Sequence, residues 1–585
     1  MTRDEQNRIV KVATGERKAE LVFKQVRYVN IFTNEILQND IAIQDGYIAG
    51  IGEYEGEKEI KHSDGLLIPG LIDGHIHMES SMISPLEFAK AVVPHGTTTV
   101  ITDPHEIANV AGAKGIDFMM EETKSLPLDV YFMLPSCVPA TGFDESGAIL
   151  LAKDLDSYYG NSRVLGLAEM MNYPGTIHLD DTVHDKICQA KSFGKRIDGH
   201  APGLKGNELN GYIAAGIASD HECSTSEEAI QKLSLGQWIM VREGTAARNL
   251  EALLPLFEAP YYERCILVTD DKHPGDLMNQ GHIDYIIRKA ISLGADPYHA
   301  LRMATYNTAT YFNLRNVGAI APGYKADITV INNLTDIHVK AVYKAGENVE
   351  EIFDLIERKD SLLEKSDLEM GDMSLKGKEI QGYADIYESF RMNILKPKDF
   401  MLDNRSKYTR VIEMQEGEIL TNERIVENLN GIEVDRDLLK VAVIERHRCT
   451  GHIGVAYLYG YGLKKGAVAS SVAHDSHNIM VVGVTEEDMC IAANQVFRNQ
   501  GGLAVSCEGQ IVGELALPIA GLMCNKSAAY VDSKLRNLKN LVRGLGVYDS
   551  IDPFMTLAFM SLPVIPKLKV TTKGLVDVER QEIVD

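Results

Sequence analysis

From residue 65 to residue 270 the hydrophobic positions fall into short runs, and each run ends on polar residues drawn from a narrow set. The runs cover 65–72, Thr97 to Thr102, Val130 to Leu134, Val164 to Ala168, Arg196 to Gly199, Ile217 to Asp220, Trp238 to Val241 and Ile266 to Thr269. Several are β-branched and several are bounded by Gly or Pro, which predicts buried strands. The stretches between most of them, such as Pro85 to Val93 and Thr225 to Leu235, are long enough for helices. Eight strand–helix units in about 250 residues is the size of a (β/α)8 barrel. The pattern therefore predicts an α/β fold with a metal-dependent TIM barrel over residues 67–316.

The flanks carry a different rhythm. Ile41-Ala42-Ile43 and Tyr47 to Ile51 are strand-like segments separated by Asp45-Gly46, a strong hairpin signal. After the barrel, Val317 to Ile331 places turn residues ahead of an alternating segment, and Val339 to Tyr343 adds a further strand. Residues 1–66 and 317–365 are expected to form one small β-sandwich domain from both flanks of the barrel. A charged stretch at 349–380 predicts a helix leading into a linker. Residues 366–585 mix strands at Leu438 to Ile444, Gly466 to Val472 and Ile479 to Val484 with helical patterns at Glu486 to Asn499 and Ser533 to Leu545. That mixture predicts a C-terminal α+β domain.

In a (β/α)8 barrel the chemistry sits at the C-terminal ends of the strands. His75 and His77 end the first run, and residues at i and i+2 of a strand share a face. Glu169, His200, His221 and Asp270 end the fourth, fifth, sixth and eighth. A single buried His is ordinarily a hydrogen-bonded core residue, and a lone Glu at a strand end is ordinarily solvated. Six such residues on one face predict a metal site. One tetrahedral ion takes three or four protein ligands, so six suit two divalent ions with a carboxylate bridging. Such a pair lowers the pKa of a shared water. Imidazole and carboxylate without thiolate suit Mn2+, Fe2+ or Zn2+. The single-zinc deaminase pattern, H-x-E followed by P-C-x-x-C, is absent.

Composition narrows the partners. Lys plus Arg is 59 and Asp plus Glu is 83, a net charge of −24. That balance argues against nucleic acid and against an anionic membrane surface, both of which need basic patches. No apolar run approaches the ~18 residues of a membrane helix. The eight cysteines form no C-x-x-C, and with a polar N-terminus they read as reduced thiols of a cytoplasmic protein.

Three longer motifs complete the picture: His75-Ile76-His77-Met78-Glu79-Ser80-Ser81, Asp103-Pro104-His105-Glu106-Ile107-Ala108-Asn109-Val110 and Asp198-Gly199-His200-Ala201-Pro202-Gly203. With Glu169 on the fourth strand, where many two-metal relatives carry a carboxylated Lys, this chain resembles the adenine deaminase family of the amidohydrolase superfamily. The resemblance runs over nearly the whole chain, including its C-terminal third. It implies hydrolytic deamination of adenine to hypoxanthine and ammonia by a hydroxide activated at a binuclear metal centre, as in purine salvage. It implies Mn2+ or Fe2+ ahead of Zn2+, with His75, His77 and Asp270 at one ion, His200 and His221 at the other, and Glu169 bridging.

On that mechanism Asp270 is the general base and then acid, and His105 or Glu106 donates a proton to the ring. The plainer reading of Glu106 is that it favours a helix N-terminus through the dipole. Glu79, Arg242 and Glu243 are expected to meet the purine edge or to support ligands; the role of Asp271 stays open. The segment Ser471 to Asn478 holds His474, Asp475 and His477. It is expected to reach over the barrel mouth, enclosing the substrate or binding an accessory ion. A homodimer is expected by analogy. Two alternatives remain: a binuclear amidohydrolase acting on a cyclic amide or another amino-heterocycle, and a non-catalytic scaffold, which would be expected to have lost ligands.

Overall fold

The computed structural model describes residues 1–245, 247–358, 382–402, 407–415, 420–429 and 431–584. Eight short parallel strands follow one another: β1 Leu71–Ile76, β2 Thr97–Thr102, β3 Asp129–Leu134, β4 Val164–Met170, β5 Arg196–Gly199, β6 Ser219–Asp220, β7 Trp238–Arg242 and β8 Cys265–Val268. β1 to β5 pair in sequence order as one sheet and β6 to β8 as a second. At one seam the Ala218 amide donates to Ile197 O at 2.9 Å. At the other, Ile76 bridges to Asp270 in parallel, and the Asp270 amide donates to His75 O at 3.0 Å.

The strands are largely buried on both faces because each face is covered. Ile72, Ile101, Met133, Ala168, Met240 and Ile266 pack together in one cluster. Val100, Phe132, Val164 and Leu167 belong to another, which includes helix residues such as Phe88 and Ile187. The predicted helices are Pro85–Val92, opened by its proline, and Ser226–Ser234. Thr225 caps the second, its Oγ1 accepting the Glu228 amide at 3.2 Å.

The first apolar run departs from expectation. It is two strands, divided at Gly70. Leu66–Pro69 joins the flanking sheet, antiparallel to Ile328–Ile331 and parallel to Arg27 and Tyr28. Only Leu71–Ile76 enters the barrel. Gly70 donates its amide to Asp327 O at 2.8 Å, and a Cβ there would stand 2.2 Å from Thr98 Oγ1.

The flanking domain is built from both sides of the barrel, and hydrogen bonds join its strands into one continuous eight-stranded sheet, which folds so that Phe23 and Tyr343 meet at 4.8 Å. The long strand Ala19–Asn30 explains this. Its first half pairs with Gly56–Ile60 and its second half with Leu66–Pro69, with an irregularity between Phe23 and Val26. The expected hairpin is present as Glu35–Gln44 against Tyr47–Gly52. Both turn residues have positive φ, 51° at Asp45 and 76° at Gly46. An N-terminal helix, Arg3–Ala13, was not foreseen; it is polar, buries Ile9 and Val12, and starts on a Thr2–Glu5 capping box.

Beyond the barrel a second eight-stranded sheet runs in the order Thr421–Glu427, Tyr408–Met414, Ile453–Tyr459, Leu438–Ile444, Ile479–Gly483, Ala467–Ser470, Gly502–Cys507, Gln510–Ala516. Helices Glu486–Arg498 and Ala528–Gly544 accompany it, followed by a three-stranded sheet ending at Val584. The expected linker and the boundary at 365–366 fall on residues 359–381, outside the described residues. Among the described residues no helix is long and apolar enough to cross a membrane. All eight cysteines are free.

The C-terminal region sits against the barrel. The Ser84 amide donates to Cys524 O at 3.0 Å, and the Cys524 amide to Met82 O at 3.1 Å. Asn478 Nδ2 donates to Glu145 O at 2.8 Å.

Candidate metal centre and active site

The six expected ligands converge at the C-terminal ends of the barrel strands, and Glu169 stands at their centre. Its Oε1 lies 3.2 Å from His77 Nε2 and 3.8 Å from His75 Nε2. Its Oε2 lies 2.8 Å from His200 Nδ1 and 3.2 Å from His221 Nε2. One carboxylate thus divides its two oxygens between two pairs of imidazoles. Asp270 Oδ1 joins the first pair, 3.1 Å from His77 and 3.7 Å from His75.

The hydrogen bonds test whether this set fits a metal. His77 Nδ1 is 3.1 Å from the carbonyl oxygen of Asp103. A carbonyl only accepts, so Nδ1 carries a hydrogen. In the neutral ring Nε2 then turns a lone pair toward two carboxylates, which is repulsive unless a proton or a cation lies between them. Burial disfavours charge on this ring, yet Asp270 and Glu169 raise its pKa well above the ordinary value. A divalent cation would take that proton's place. His75 Nε2 is buried without a hydrogen-bond partner. Burial, then the neighbouring His221 and His77, holds its pKa well below the usual range, the neutral state that a ligand needs. His200 Nδ1 and His221 Nε2 stand 3.3 Å apart over one carboxylate oxygen. The donor set fits two hard-to-borderline divalent ions.

The backbone sets this geometry. Asp73 Oδ1 accepts the amides of both His75 and Thr269 at 3.2 Å, tying the end of β1 to the end of β8. Asp270 itself has φ 60°, a turn out of the strand that few non-glycine residues adopt. Its Oδ2 accepts from Arg242 at 2.5 Å. Burial opposes ionisation of Asp270, but Arg242 and His77 hold its pKa well below the usual carboxylate range.

Two residues missed from the sequence stand in this cluster. Glu222 Oε1 lies 3.5 Å from His200 Nδ1 and 3.4 Å from His221 Nε2, and Arg242 pairs with it as well as with Asp270. Asp103 Oδ2 is 2.9 Å from His105 Nδ1, and with His77, His105 and Glu169 it makes a group able to hold an ion. Its place just after Thr102, at the end of the second apolar run, is the sequence signal that points to it.

Glu106, in the first turn of helix His105–Ala111, faces the C-terminal domain. Its Oε1 accepts from His474 Nδ1 at 2.7 Å and its Oε2 from His477 Nε2. His477 Nδ1 accepts the Ala473 amide at 3.2 Å, so the hydrogen of the neutral ring is on Nε2. In that tautomer Nε2 donates to Glu106, and Glu106, His474 and His477 together also form a group able to hold an ion. Asp475 Oδ1 is 3.9 Å from His105 Nε2, its Oδ2 has no partner, and burial pushes its carboxyl up to about 6. Glu79 accepts the Ile107 amide at 3.2 Å, and burial pushes it up to about 7.

Glu243 is a correction. It pairs with Lys289 at 2.9 Å, away from the ligands. Successive residues of an extended strand point to opposite faces, so with Arg242 turned to Asp270, Glu243 turns outward. Asp271 accepts from Ser80 Oγ.

This strand-end set of imidazoles and carboxylates defines an amidohydrolase, and residues 66–349 match the model of the Amidohydrolase family. Residues 417–582 match that of the Adenine deaminase C-terminal domain. The chain is 45% identical over 581 residues to adenine deaminase 2 of Carboxydothermus hydrogenoformans, covering 98% of each chain. It is 46% identical over 578 residues to the adenine deaminase of Clostridium acetobutylicum, covering 97% of this chain and 98% of that one. The chain belongs to the adenine deaminase family. Among solved structures, the amidohydrolase-superfamily enzyme enamidase aligns with 19% identity and a TM-score of 0.43, over 56% of this chain and 95% of its own.

Proposed function

We propose that this protein hydrolyses adenine to hypoxanthine and ammonia, at a binuclear centre on one closed (β/α)8 barrel. The division of Glu169 between the pairs His75/His77 and His200/His221 carries this reading. Asp270 completes the first pair. We take the metals to be Mn2+ or Fe2+, with Zn2+ as the third choice, and the protein to be a cytoplasmic homodimer serving purine salvage. The barrel then spans 67–316, the flanking β-domain 1–66 and 317–365, and the C-terminal domain 366–585.

When bound, two divalent ions would lower the pKa of a shared water and make it nucleophilic near neutral pH. The residues do the rest. Arg242 occupies Asp270 Oδ2 and keeps the carboxylate ionised, leaving Oδ1 beside His75 and His77 to accept the proton as water adds to C6 of adenine. Addition at C6 builds charge on N1. His105 is the donor we assign there: Asp103 accepts from its Nδ1, and although burial opposes charge, Asp103 and Glu106 keep the ring protonated, leaving Nε2–H for the purine. Glu106 is occupied at both oxygens by His474 and His477 and acts by holding that loop at the barrel mouth. Asp270 then protonates the departing amine, and the proton left on the C6 oxygen replaces the one His105 gave to N1, so water and adenine become hypoxanthine and ammonia.

The test is ammonia release from adenine by protein purified with Mn2+ and without oxidants, with adenosine, guanine and a cyclic amide run beside it. Release from adenine alone with an equal amount of hypoxanthine supports the reading. No ammonia from adenine, with two metals bound per chain and the cyclic amide consumed by ring opening, overturns it.

A further inference from the structure

Lys232 lies on helix Ser226–Ser234, outside the ligand set, and its exposure is 0%. Its ammonium has three hydrogens, and three acceptors surround it. Nζ donates to Asp220 Oδ2, to Ala201 O and to Glu228 Oε1, each at 2.7 Å. Two of these acceptors adjoin metal ligands: Ala201 follows His200, and Asp220 precedes His221. Asp220 Oδ1 in turn accepts the Ala201 amide at 2.9 Å. The peptide groups on either side of Ala201 are therefore pinned, one through its N–H by Asp220 and the other through its C=O by Lys232. Glu228 extends the grip, its Oε1 also accepting the Gly203 amide at 2.9 Å.

We propose that Lys232 is a positioning residue for one of the two metal sites: with Asp220 it fixes the distance between His200 and His221, and so the affinity of the ion they hold. The inference rests on the binuclear reading above. Those two imidazole nitrogens stand 3.3 Å apart over Glu169 Oε2. They come from different strands, and the direct backbone bond recorded near this seam joins Ala218 to Ile197, below the ligands. At the ligand level the Asp220–Ala201–Lys232 triangle links the strands, beside the bond from the Gly199 amide to Ser219 Oγ at 3.3 Å. Stability alone gives no reason for it. A buried ion pair seldom does better than apolar side chains of similar volume, and this helix already buries Ala229 among apolar residues.

The test is Mn2+ titration of the metal-free full-length protein, read by bound metal per chain and by the electron paramagnetic resonance of the ions. Lys232→Met alone would strand the Asp220 carboxylate in the core and can fail to fold. The informative variant is therefore Lys232→Met with Asp220→Asn, which removes both charges, and its thermal unfolding is recorded beside the titration. Expected is a wild-type chain with two Mn2+ sites and a double variant in which one site keeps its affinity while the other weakens at least tenfold. Lys232→Arg, which keeps a donor there, is expected to lie between them. Two wild-type affinities in the double variant overturn the proposal, and so does equal weakening of both sites. A wild-type chain that binds only one Mn2+ overturns the binuclear reading, and this proposal with it; two sites of unchanged affinity in the double variant, with two in wild type, overturn this proposal alone.

Discussion

His474 Nδ1 and Glu106 Oε1 stand 2.7 Å apart although 368 residues separate them in the chain. One belongs to the C-terminal domain and the other to the helix His105–Ala111 that follows β2, so the contact makes that domain part of the barrel mouth. Burial disfavours charge on His474, but Glu106 outweighs it and brings the imidazole to about 9. An unfolded His titrates near 6.5. The pair's contribution to stability is therefore complete below about pH 6.5 and is lost as pH rises through 9. Melting temperatures of wild type and His474→Gln are expected to differ most at pH 6.5 and to converge by pH 9.5. A gap that stays constant across that range counts against the pairing.

Asp270→Asn should fold, since the amide keeps the shape of the carboxylate and Arg242 retains Glu222 as a partner. Loss of the proton acceptor is expected to lower kcat for adenine by about 10²–10⁴-fold, the usual contribution of a general base. Steady-state kinetics at saturating Mn2+ reads this, and a kcat within threefold of wild type would reject the role.

Glu169→Ala removes the carboxylate that both imidazole pairs face. Metal analysis after dialysis should show the full complement of two ions lost, with the secondary structure unchanged by circular dichroism. Two tightly held ions in this variant would mean that the pairs do not depend on the bridge.

Gly70→Ala tests the division of the first apolar run. The added methyl would meet Thr98 Oγ1 at 2.2 Å. Overpacking of this kind costs about 1–3 kcal/mol, so the denaturation midpoint should fall. Gly142→Ala, where a Cβ meets nothing within 4 Å, serves as the control and should leave it unchanged.

The barrel was legible because its strands are buried on both faces and therefore read as continuous apolar runs with polar ends. The same signal says nothing about partners. Leu66–Pro69 and Leu71–Ile76 look like one strand in sequence, and only hydrogen bonding assigns them to different sheets. Strands such as Tyr408–Met414 went unmarked because they are only half buried. At the site, backbone position placed the six candidate ligands at strand ends. Side-chain reach was invisible: Glu222 lies one residue beyond a ligand and faces the centre, whereas Glu243 follows Arg242 and faces away. The Glu106 contacts with His474 and His477 join segments too distant for any local pattern to reveal.

Glu169 does more than face four imidazoles. A carboxylated lysine in its place would be a labile adduct, made after synthesis and dependent on dissolved carbon dioxide. A glutamate is written in the gene. On the binuclear reading proposed above, assembly of the centre would need no carboxylation step, and a Glu169 bridge could not be lost by decarboxylation when the protein is stored in acid or in degassed buffer.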